Sequence, residues 1–355
     1  MDPLLHTLAH LICLAVPVAC QGTPPEAPPE APPEASPAAP PAAPPAAPAE
    51  AQADAKRVAE ERQQELAAGA LPKDAKPAAV EAWKQLVAAS QPGTAAAPGR
   101  RPEPVKAFDL EFDVLTRNGT QTNEGTVRHR WLAPGFLRTR LESGREQGLG
   151  PGGHWLSDPV AKEDQQVVRL DGREYAEDRR GIDDALALSR NFVALADLGA
   201  LRIARLARLD EAEGASEVPP ARREAAEGLV WLEVASPDFR LPGDAGPTPG
   251  SAPASYLVRI GMDPESGHAH FASIRRDDLP PGRAVHPGVL LEMRNPNPVD
   301  GYLLPYSVMV WNYELRHLSV RPRPAMVFAE KPDQEFYLRK GSLAPALTPA
   351  DFEPR

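Results

Sequence analysis

The stretch Phe108-Asp109-Leu110-Glu111-Phe112-Asp113-Val114 indicates the fold class of this chain. Apolar and acidic residues alternate along it. Because successive side chains of a strand point to opposite faces, this alternation predicts a strand with one buried and one solvated face. Asn118-Gly119 follows, a dipeptide typical of a tight hairpin turn. An antiparallel hairpin is therefore predicted at the start of the folded domain.

Strand-like runs recur along the rest of the chain, interrupted by one helical stripe between Gly181 and Leu198. Asp183 and Asp184 lie in its first turn, where negative charge suits the helix dipole. One-sided strands joined by short turns favour an antiparallel meander over a doubly wound parallel sheet. The predicted strand regions are about 125–133, 136–143, 154–157, 166–171, 201–209, 228–236, 256–263, 268–276, 288–294, 302–313, 325–329 and 335–339.

Three connections in this part of the chain are long, polar and rich in Pro or Gly, at about 210–227, 237–255 and 277–287. Their composition favours disorder. The run from Gly148 to Gly153 is also rich in glycine. It lacks the Lys and Ser/Thr of a phosphate loop and leads into a strand, so it is interpreted as a flexible turn.

The N-terminal residues 1–20 are typical of an export signal. A short apolar run from Leu11 to Val16 ends at Val18-Ala19-Cys20, and its length suits a signal peptide rather than a membrane-spanning helix. Small residues before a cysteine also resemble a bacterial lipoprotein signal, in which Cys20 is acylated. Ordinary cleavage without lipidation is the alternative.

Residues 21–50 contain 12 Pro and 10 Ala in 30 positions. Such a segment cannot bury a core, and Pro-rich linkers are extended, so a disordered stalk is predicted. Residues 51–105 contain two helix-prone stretches, about 51–68 and 75–90, followed by a linker. The second has an apolar face and is expected to dock on the domain of residues 106–355.

Composition limits the possible partners and cofactors. The net charge is -10, and no dense run of Lys and Arg is present, which argues against a nucleic-acid partner. The only two cysteines are Cys13 and Cys20, so residues 106–355 have neither an internal disulfide nor a cysteine-based metal site. No cofactor is predicted.

Four local runs within residues 106–340 resemble the bacterial periplasmic lipoprotein-carrier family of the Lol type, in the outer-membrane lipoprotein-sorting superfamily. They follow the order of that family. The runs are Gly125 to Arg138 (a strand, a Pro-containing turn and the next strand), Gly152 to Pro159, Ile260 to Gly267 with Phe271 and Ile274 on the return strand, and Val299-Asp300-Gly301-Tyr302-Leu303-Leu304-Pro305.

The resemblance implies a mainly β (α+β) fold, in which a curled antiparallel half-barrel sheet wraps one or two helices. A sheet that curls without closing leaves a concave apolar face. This face either packs on a helix of the same domain or binds a lipid-like ligand. The candidate lipid-binding residues lie on the alternating apolar faces: Phe108, Phe112, Trp131, Leu137, Trp155, Phe192, Val258 and Trp311. For each of them singly, core packing is the alternative.

Few residues suggest catalytic or ionic chemistry. His268-Ala269-His270 places two imidazoles on one side of a strand, but zinc needs three or four ligands, and a solvated hairpin is the favoured interpretation. The acidic pair Asp183-Asp184 is interpreted as helix capping, and Asp277-Asp278 as solvated charge. Four arginines on neighbouring strands are expected to pair across the sheet with Asp109, Glu111 and Asp113. These arginines are Arg128, Arg130, Arg138 and Arg140.

Three hypotheses follow. The leading one is a non-enzymatic, exported protein of a bacterial cell envelope, periplasmic or membrane-anchored, that binds lipid or lipoprotein acyl chains. The second is a structural or interaction module on a stalk, whose sheet is filled by its own side chains and helix. The third is an envelope hydrolase that uses His268, His270 and nearby acids.

Overall fold

The computed structural model describes residues 69–91, 104–162, 166–243, 255–277, 285–316 and 325–354. The predicted signal peptide, with Cys20, lies outside these residues. So do the Pro/Ala-rich linker and the helix-prone stretch at 51–68. Among the described residues, no helix combines the length and the apolar character needed to cross a membrane.

The described residues contain three α-helices and fourteen strands. The helices are α1 (Pro77–Ser90), α2 (Ala176–Ala196) and the short α3 (Glu211–Ala215). The strands are β1 (Ala107–Asn118), β2 (Gln121–Leu132), β3 (Phe136–Leu141), β4 (Glu146–Gly150), β5 (Gly153–Ser157), β6 (Val167–Arg169), β7 (Arg205–Arg208), β8 (Val230–Ser236), β9 (Tyr256–Met262), β10 (Ala269–Arg276), β11 (Val285–Val299), β12 (Tyr302–Arg316), β13 (Ala325–Phe328) and β14 (Gln334–Ser342).

All fourteen strands belong to one antiparallel sheet. Its order is β6-β5-β4-β3-β2-β1-β14-β12-β11-β10-β9-β8-β7, and β13 also pairs with β12. The sheet curls around the helices without closing into a barrel. The predicted mainly β fold class, a curled half-barrel of antiparallel strands, is therefore confirmed.

The first hairpin forms where the alternating pattern predicts it. Asn118 pairs with Gln121, so Gly119 and Thr120 make a two-residue loop. Gly119 has a φ of 59°, a conformation that costs glycine little because it has no Cβ. A glycine at the first position of such a loop matches the right-handed twist of the strands that it joins.

Helices α1 and α2 pack on one side of the sheet, which we call the inner face; the opposite side is the outer face. Trp83 and Leu86 of α1 share one core with Ala194 of α2 and with apolar residues of β1, β2 and β8 to β12. The predicted docking of the second helix-prone stretch is thus observed. Helix α2 begins earlier than the apolar stripe suggested, because Glu177 and Asp178 favour its first turn.

The predicted turn in the glycine-rich run from Gly148 to Gly153 is confined to Pro151 and Gly152, and the rest of the run belongs to two strands. Gly148 and Gly150 end β4, and Gly153 begins β5. A Cβ at Gly148 would lie 2.5 Å from the backbone oxygen of Leu137 and 2.8 Å from the Trp155 ring. At Gly148, glycine is therefore needed for close packing and not for flexibility.

The prediction of disorder at 210–227 is also wrong. Residues 209–229, which we call the covering segment, include α3 and single 3-10 turns at Pro220–Arg222 and Glu224–Ala226. Val218, Ala226 and Leu229 of this segment are buried against the outer face. Apolar residues in a Glu- and Arg-rich sequence therefore anchor it. Residues 244–254 and 278–284 of the other two connections lie outside the described ranges.

Candidate ligand cavity on the inner face

Six of the eight candidate residues lie on the inner face. The rings of Phe108 and Trp131 stack, with centroids 5.8 Å apart. Phe112 contacts Phe192 of α2, with centroids also 5.8 Å apart. Leu137 packs in a smaller cluster with Ile182 and Ala185 of α2, and Val258 is fully buried in the main core. These residues share a face, but they do not form one continuous surface.

The other two candidates lie on the outer face. Trp155 is covered by the C-terminal turn, and its Nε1 donates a hydrogen bond of 2.8 Å to the backbone oxygen of Phe352. Trp311 packs in the cluster beneath the covering segment, with Trp231 and Phe271. Neither shares the surface of the other six, and whether any of the eight binds lipid stays a prediction.

The helices occupy much of the inner face. Ala79, Trp83 and Leu86 of α1 are buried against the sheet. Beside them, Phe192 of α2 packs against Phe336 of β14, with ring centroids 6.1 Å apart. A large part of the concave surface is thus filled by the protein itself.

A cavity of about 300 Å³ remains at one end of this packed region. One wall consists of the final turns of α1 and α2, with Leu86 and Leu195, and of Leu198 in the turn after α2. Strands β10 to β12 form the other wall. Of the eight candidate residues, Phe192 alone lines it. The remaining apolar lining includes Ala196, Ala269, Phe271, Leu291, Met293, Leu303 and Val308.

The cavity exists because two neighbouring strands separate. The ladder between β10 and β11 ends at the pair Phe271–Glu292, whereas β11 continues with β12 to the pair Val299–Tyr302. Residues beyond Glu292 on β11 are therefore not paired with β10. As a result, the lining includes both inner-face residues, such as Leu291 and Met293, and outer-face residues, such as Glu292 and Arg294.

Charged side chains stand at the outer end of the cavity. Glu292 is almost fully buried and accepts hydrogen bonds from Arg222 of the covering segment, at 2.5 and 3.0 Å. Nε of Arg294 also donates to Glu292, at 2.6 Å. Sequence reasoning missed this cluster, since Arg222 is distant in sequence from the strand it contacts. The alternation of apolar and charged residues in β11 could have indicated that Glu292 and Arg294 share the face opposite the core.

His268 and His270 also line the cavity. Within the described ranges, no three or more His, Cys, Asp or Glu side chains are grouped so that they could hold a metal ion. The carboxylate of Asp263, expected near these histidines, accepts hydrogen bonds from the backbone and hydroxyl of Ser266 at 2.6 and 2.9 Å. These bonds hold its pKa below the usual value.

Two other titratable groups have shifted pKa values, the half-buried Asp184 and the buried His129. Burial raises the pKa of Asp184 to about 6, although the backbone N–H of Gly243 donates to its carboxylate. Because α2 begins at Ala176, Asp184 lies about two turns inside the helix, and the interpretation of the Asp183-Asp184 pair as helix capping is wrong. On the inner face, burial lowers the pKa of His129 to about 4, and its Nδ1 lies 3.0 Å from the hydroxyl of Thr139.

Two of the four arginines of the outer face pair with a predicted partner, and the other two pair with a different carboxylate. Arg128 donates two hydrogen bonds of 2.6 Å to Asp109, and Arg130 donates one of 3.1 Å. Arg138 and Arg140 instead contact Glu146 on β4. Cross-strand pairing therefore accounts for these cations, which are not grouped into a free basic surface.

No protein-family model matches the sequence, and no curated protein matches it. Several solved structures are similar to this chain. One is a LolA superfamily protein from Nitrosomonas europaea, at 12% identity over 78% of this chain and 97% of that chain, with a TM-score of 0.33. Another is a DUF1329 family protein from Desulfovibrio piger, at 13% identity over 77% and 96%, with a TM-score of 0.34.

A third is a domain assigned to outer membrane lipoprotein sorting, from Vibrio parahaemolyticus. It shows 12% identity over 77% of this chain and 95% of that chain, with a TM-score of 0.34. Because the identities and TM-scores are low, no functional conclusion follows from these similarities. Structures named for the superfamily that the sequence motifs resemble are thus among those similar to this chain.

Proposed function

We propose that this chain is a non-enzymatic protein of a bacterial cell envelope that binds an apolar ligand, such as an acyl chain of a lipid or lipoprotein. The observation that carries the proposal is the cavity of about 300 Å³ between the helices and β10 to β12. Ligand sites begin at about this volume. It has room for about ten groups of the size of a water or methylene, at roughly 30 Å³ each.

The N-terminal sequence supports the proposed location. Residues 1–20 have the character of an export signal, and residues 21–50 are rich in Pro and Ala. Acylation of Cys20 would anchor the chain to a membrane. The stalk then keeps the domain at a distance from that membrane, because Pro-rich chains are extended. Cleavage without acylation would release the same domain into the periplasm.

A second candidate is a stalked structural or interaction module. The observation that favours it is the packing of Trp83 and Leu86 from α1, and Phe192 from α2, against the inner face. In this hypothesis the helices belong permanently to the core, and the cavity holds only water. The two candidates differ in one measurable property, which is whether the cavity takes up an apolar chain.

The test uses the full chain, extracted for bound lipid by mass spectrometry and then titrated with a fluorescent fatty-acid probe. Leu195 lines the cavity, so Leu195→Trp is expected to fill part of it and to weaken probe binding at least tenfold. The matched control is Leu188→Trp, two turns away on the same helix. Leu188 packs on the core but does not line the cavity.

Saturable probe binding that falls for Leu195→Trp and persists for Leu188→Trp would support the ligand-binding protein. Circular dichroism and urea unfolding establish that both variants are folded. A wild-type chain that carries no lipid and binds no probe would reject ligand binding and favour the stalked module.

A further inference from the structure

Two arginines share one carboxylate at the outer end of the cavity. Arg222 and Arg294 both donate to Glu292. Arg294 also faces Glu335 of β14, but Glu335 is paired with Arg117 at 2.5 Å. The cluster therefore keeps one positive charge in excess.

The arginines also retain unused donors. A guanidinium has five N–H groups. Arg222 uses Nε and Nη2, and Arg294 contacts Glu292 through Nε and Nη2. In the part of the chain that the structure describes, neither Nη1 has a hydrogen-bond partner. Their side chains are about one-third exposed, at 30% and 38%, so an anion has access to them.

These donors are continuous with the apolar wall of the cavity. Side chains alternate along β11, so Leu291 and Met293 face the helices while Glu292 and Arg294 face outward. The end of the β10–β11 ladder at Phe271–Glu292 opens a passage between the two sides. A ligand can thus place an apolar chain against the helices and its polar end at the arginines.

We infer that the ligand is a single-chain amphiphile with an anionic headgroup, carboxylate or phosphate, which Arg222 and Arg294 bind. The inference rests on the proposed function, since it assigns the polar end of the same ligand. Guanidinium binds both anions through paired, charge-assisted hydrogen bonds, which are shorter and stronger than neutral ones. The imidazoles of His268 and His270, which line the same cavity, supply further hydrogen-bonding groups.

Calorimetric titration of the delipidated full chain compares three probes with the same chain length: dodecanoate, dodecyl phosphate and dodecanol. We expect at least one anionic probe to bind about tenfold or more tightly than dodecanol, which is the effect of one charge-assisted hydrogen bond. Comparison of the affinities for dodecanoate and dodecyl phosphate identifies which anion is preferred. The preference is expected to fall in high salt, because the arginines are partly exposed.

Three variants and a control test the assignment. Arg222→Gln is expected to reduce the preference for the anion to less than threefold, and Arg222→Lys to restore part of it. Glu292→Gln removes the competing carboxylate and is expected to raise affinity for the anion severalfold, a gain that a purely structural role would not produce. The control is Arg316→Gln, an exposed arginine paired with Glu314 away from the cavity, which should keep the preference.

Equal affinity of the wild-type chain for the anionic probes and dodecanol would overturn the inference while leaving the proposed function intact. Binding of none of the three probes would overturn both. Because the comparison of probes is made on the wild-type chain, the result does not depend on whether each variant folds.

Discussion

At the scale of single residues, Asp184 shows how burial opposes a charge. Its pKa is raised from 3.8 to about 6, mainly by burial, and the neighbouring Asp183 acts in the same direction. Between these two pH values the folded state binds more protons than the unfolded state. The free energy of unfolding therefore decreases as pH rises from about 4 to about 6, and stays lower above that range.

Asp184→Asn is expected to stabilise the protein at pH 7 by about 1 kcal/mol, because it removes a half-buried charge that solvent screens in part. Its amide oxygen can still accept the hydrogen bond from the backbone of Gly243. Urea unfolding at pH 7 and pH 4 measures the difference. The gain should vanish at pH 4, and the exposed control Asp74→Asn should have little effect at either pH. A gain that is equal at both pH values would show that the charge of Asp184 is not its cause.

Arg190 of α2 is a second residue whose charge is poorly compensated. Among the described residues its side chain has no hydrogen bond or ion pair, whereas its neighbour Arg202 pairs with Asp238. Burial lowers the pKa of Arg190, and the positive charge of Arg240 acts in the same direction. The negative charge of Asp238 acts in the opposite direction, but Asp238 is already paired with Arg202, and a partly buried cation without a hydrogen-bonded partner costs stability.

Arg190→Met keeps the length of the side chain and removes this charge. We expect it to raise the free energy of unfolding by about 1 kcal/mol. Arg202→Met, which breaks an ion pair, should lower it. Thermal and urea unfolding of both variants provide the measurement, and a loss of stability in Arg190→Met would mean that Arg190 contributes more through packing than its charge costs.

At the scale of elements, a buried carboxylate holds the covering segment to the sheet. Glu217 lies between Arg259 at 2.5 Å and Arg275 at 2.9 Å. The hydroxyl of Ser273 also donates to it, at 2.8 Å, and bonds in turn with Tyr313. One acidic side chain thus joins the segment directly to β9 and β10, and through Ser273 to β12.

Glu217→Ala leaves Arg275 without its carboxylate partner, whereas Arg259 keeps Glu233 at 2.8 Å and Glu213 at 3.1 Å. Removing one member of a buried ion pair costs about 3–5 kcal/mol, so the free energy of unfolding should fall by that amount. Limited proteolysis should then cleave within residues 209–229 faster than in wild type. Glu227→Ala, an exposed change in the same segment, is the control. Equal proteolysis of the two variants would argue against anchoring by Glu217.

At the scale of the whole molecule, α1 contributes to a core made mostly of residues far along the chain. Trp83 is 4% exposed and packs with the main cluster of the sheet. Trp83→Ala removes a large buried side chain and is expected to lower the free energy of unfolding by about 3–5 kcal/mol. Lys84→Ala, its exposed neighbour, is the control. A small loss in both variants would mean that α1 adds little to the core.

Local pattern predicted most of this architecture, since alternation in β1 and the turn at Asn118-Gly119 depend only on neighbouring residues. It could not assign Trp155 and Trp311 to a face. Alternation separates two faces, but in β12 both are covered, one by helices and the other by the covering segment. The cavity could not be predicted from the sequence either, because it forms where the β10–β11 ladder ends. The sequence of one strand does not by itself determine its register with the next strand.

The position of β14 affects how the protein folds while it is being synthesised. This last strand lies at the centre of the sheet, between β1 and β12, and its Glu335 contacts Arg117 across a separation of 218 residues. Synthesis from the N-terminus produces both flanking meanders before β14 exists. Until residues 334–342 leave the ribosome, the edges that β14 later covers stay open to other chains, and a nascent chain that stalls earlier is expected to be prone to aggregation.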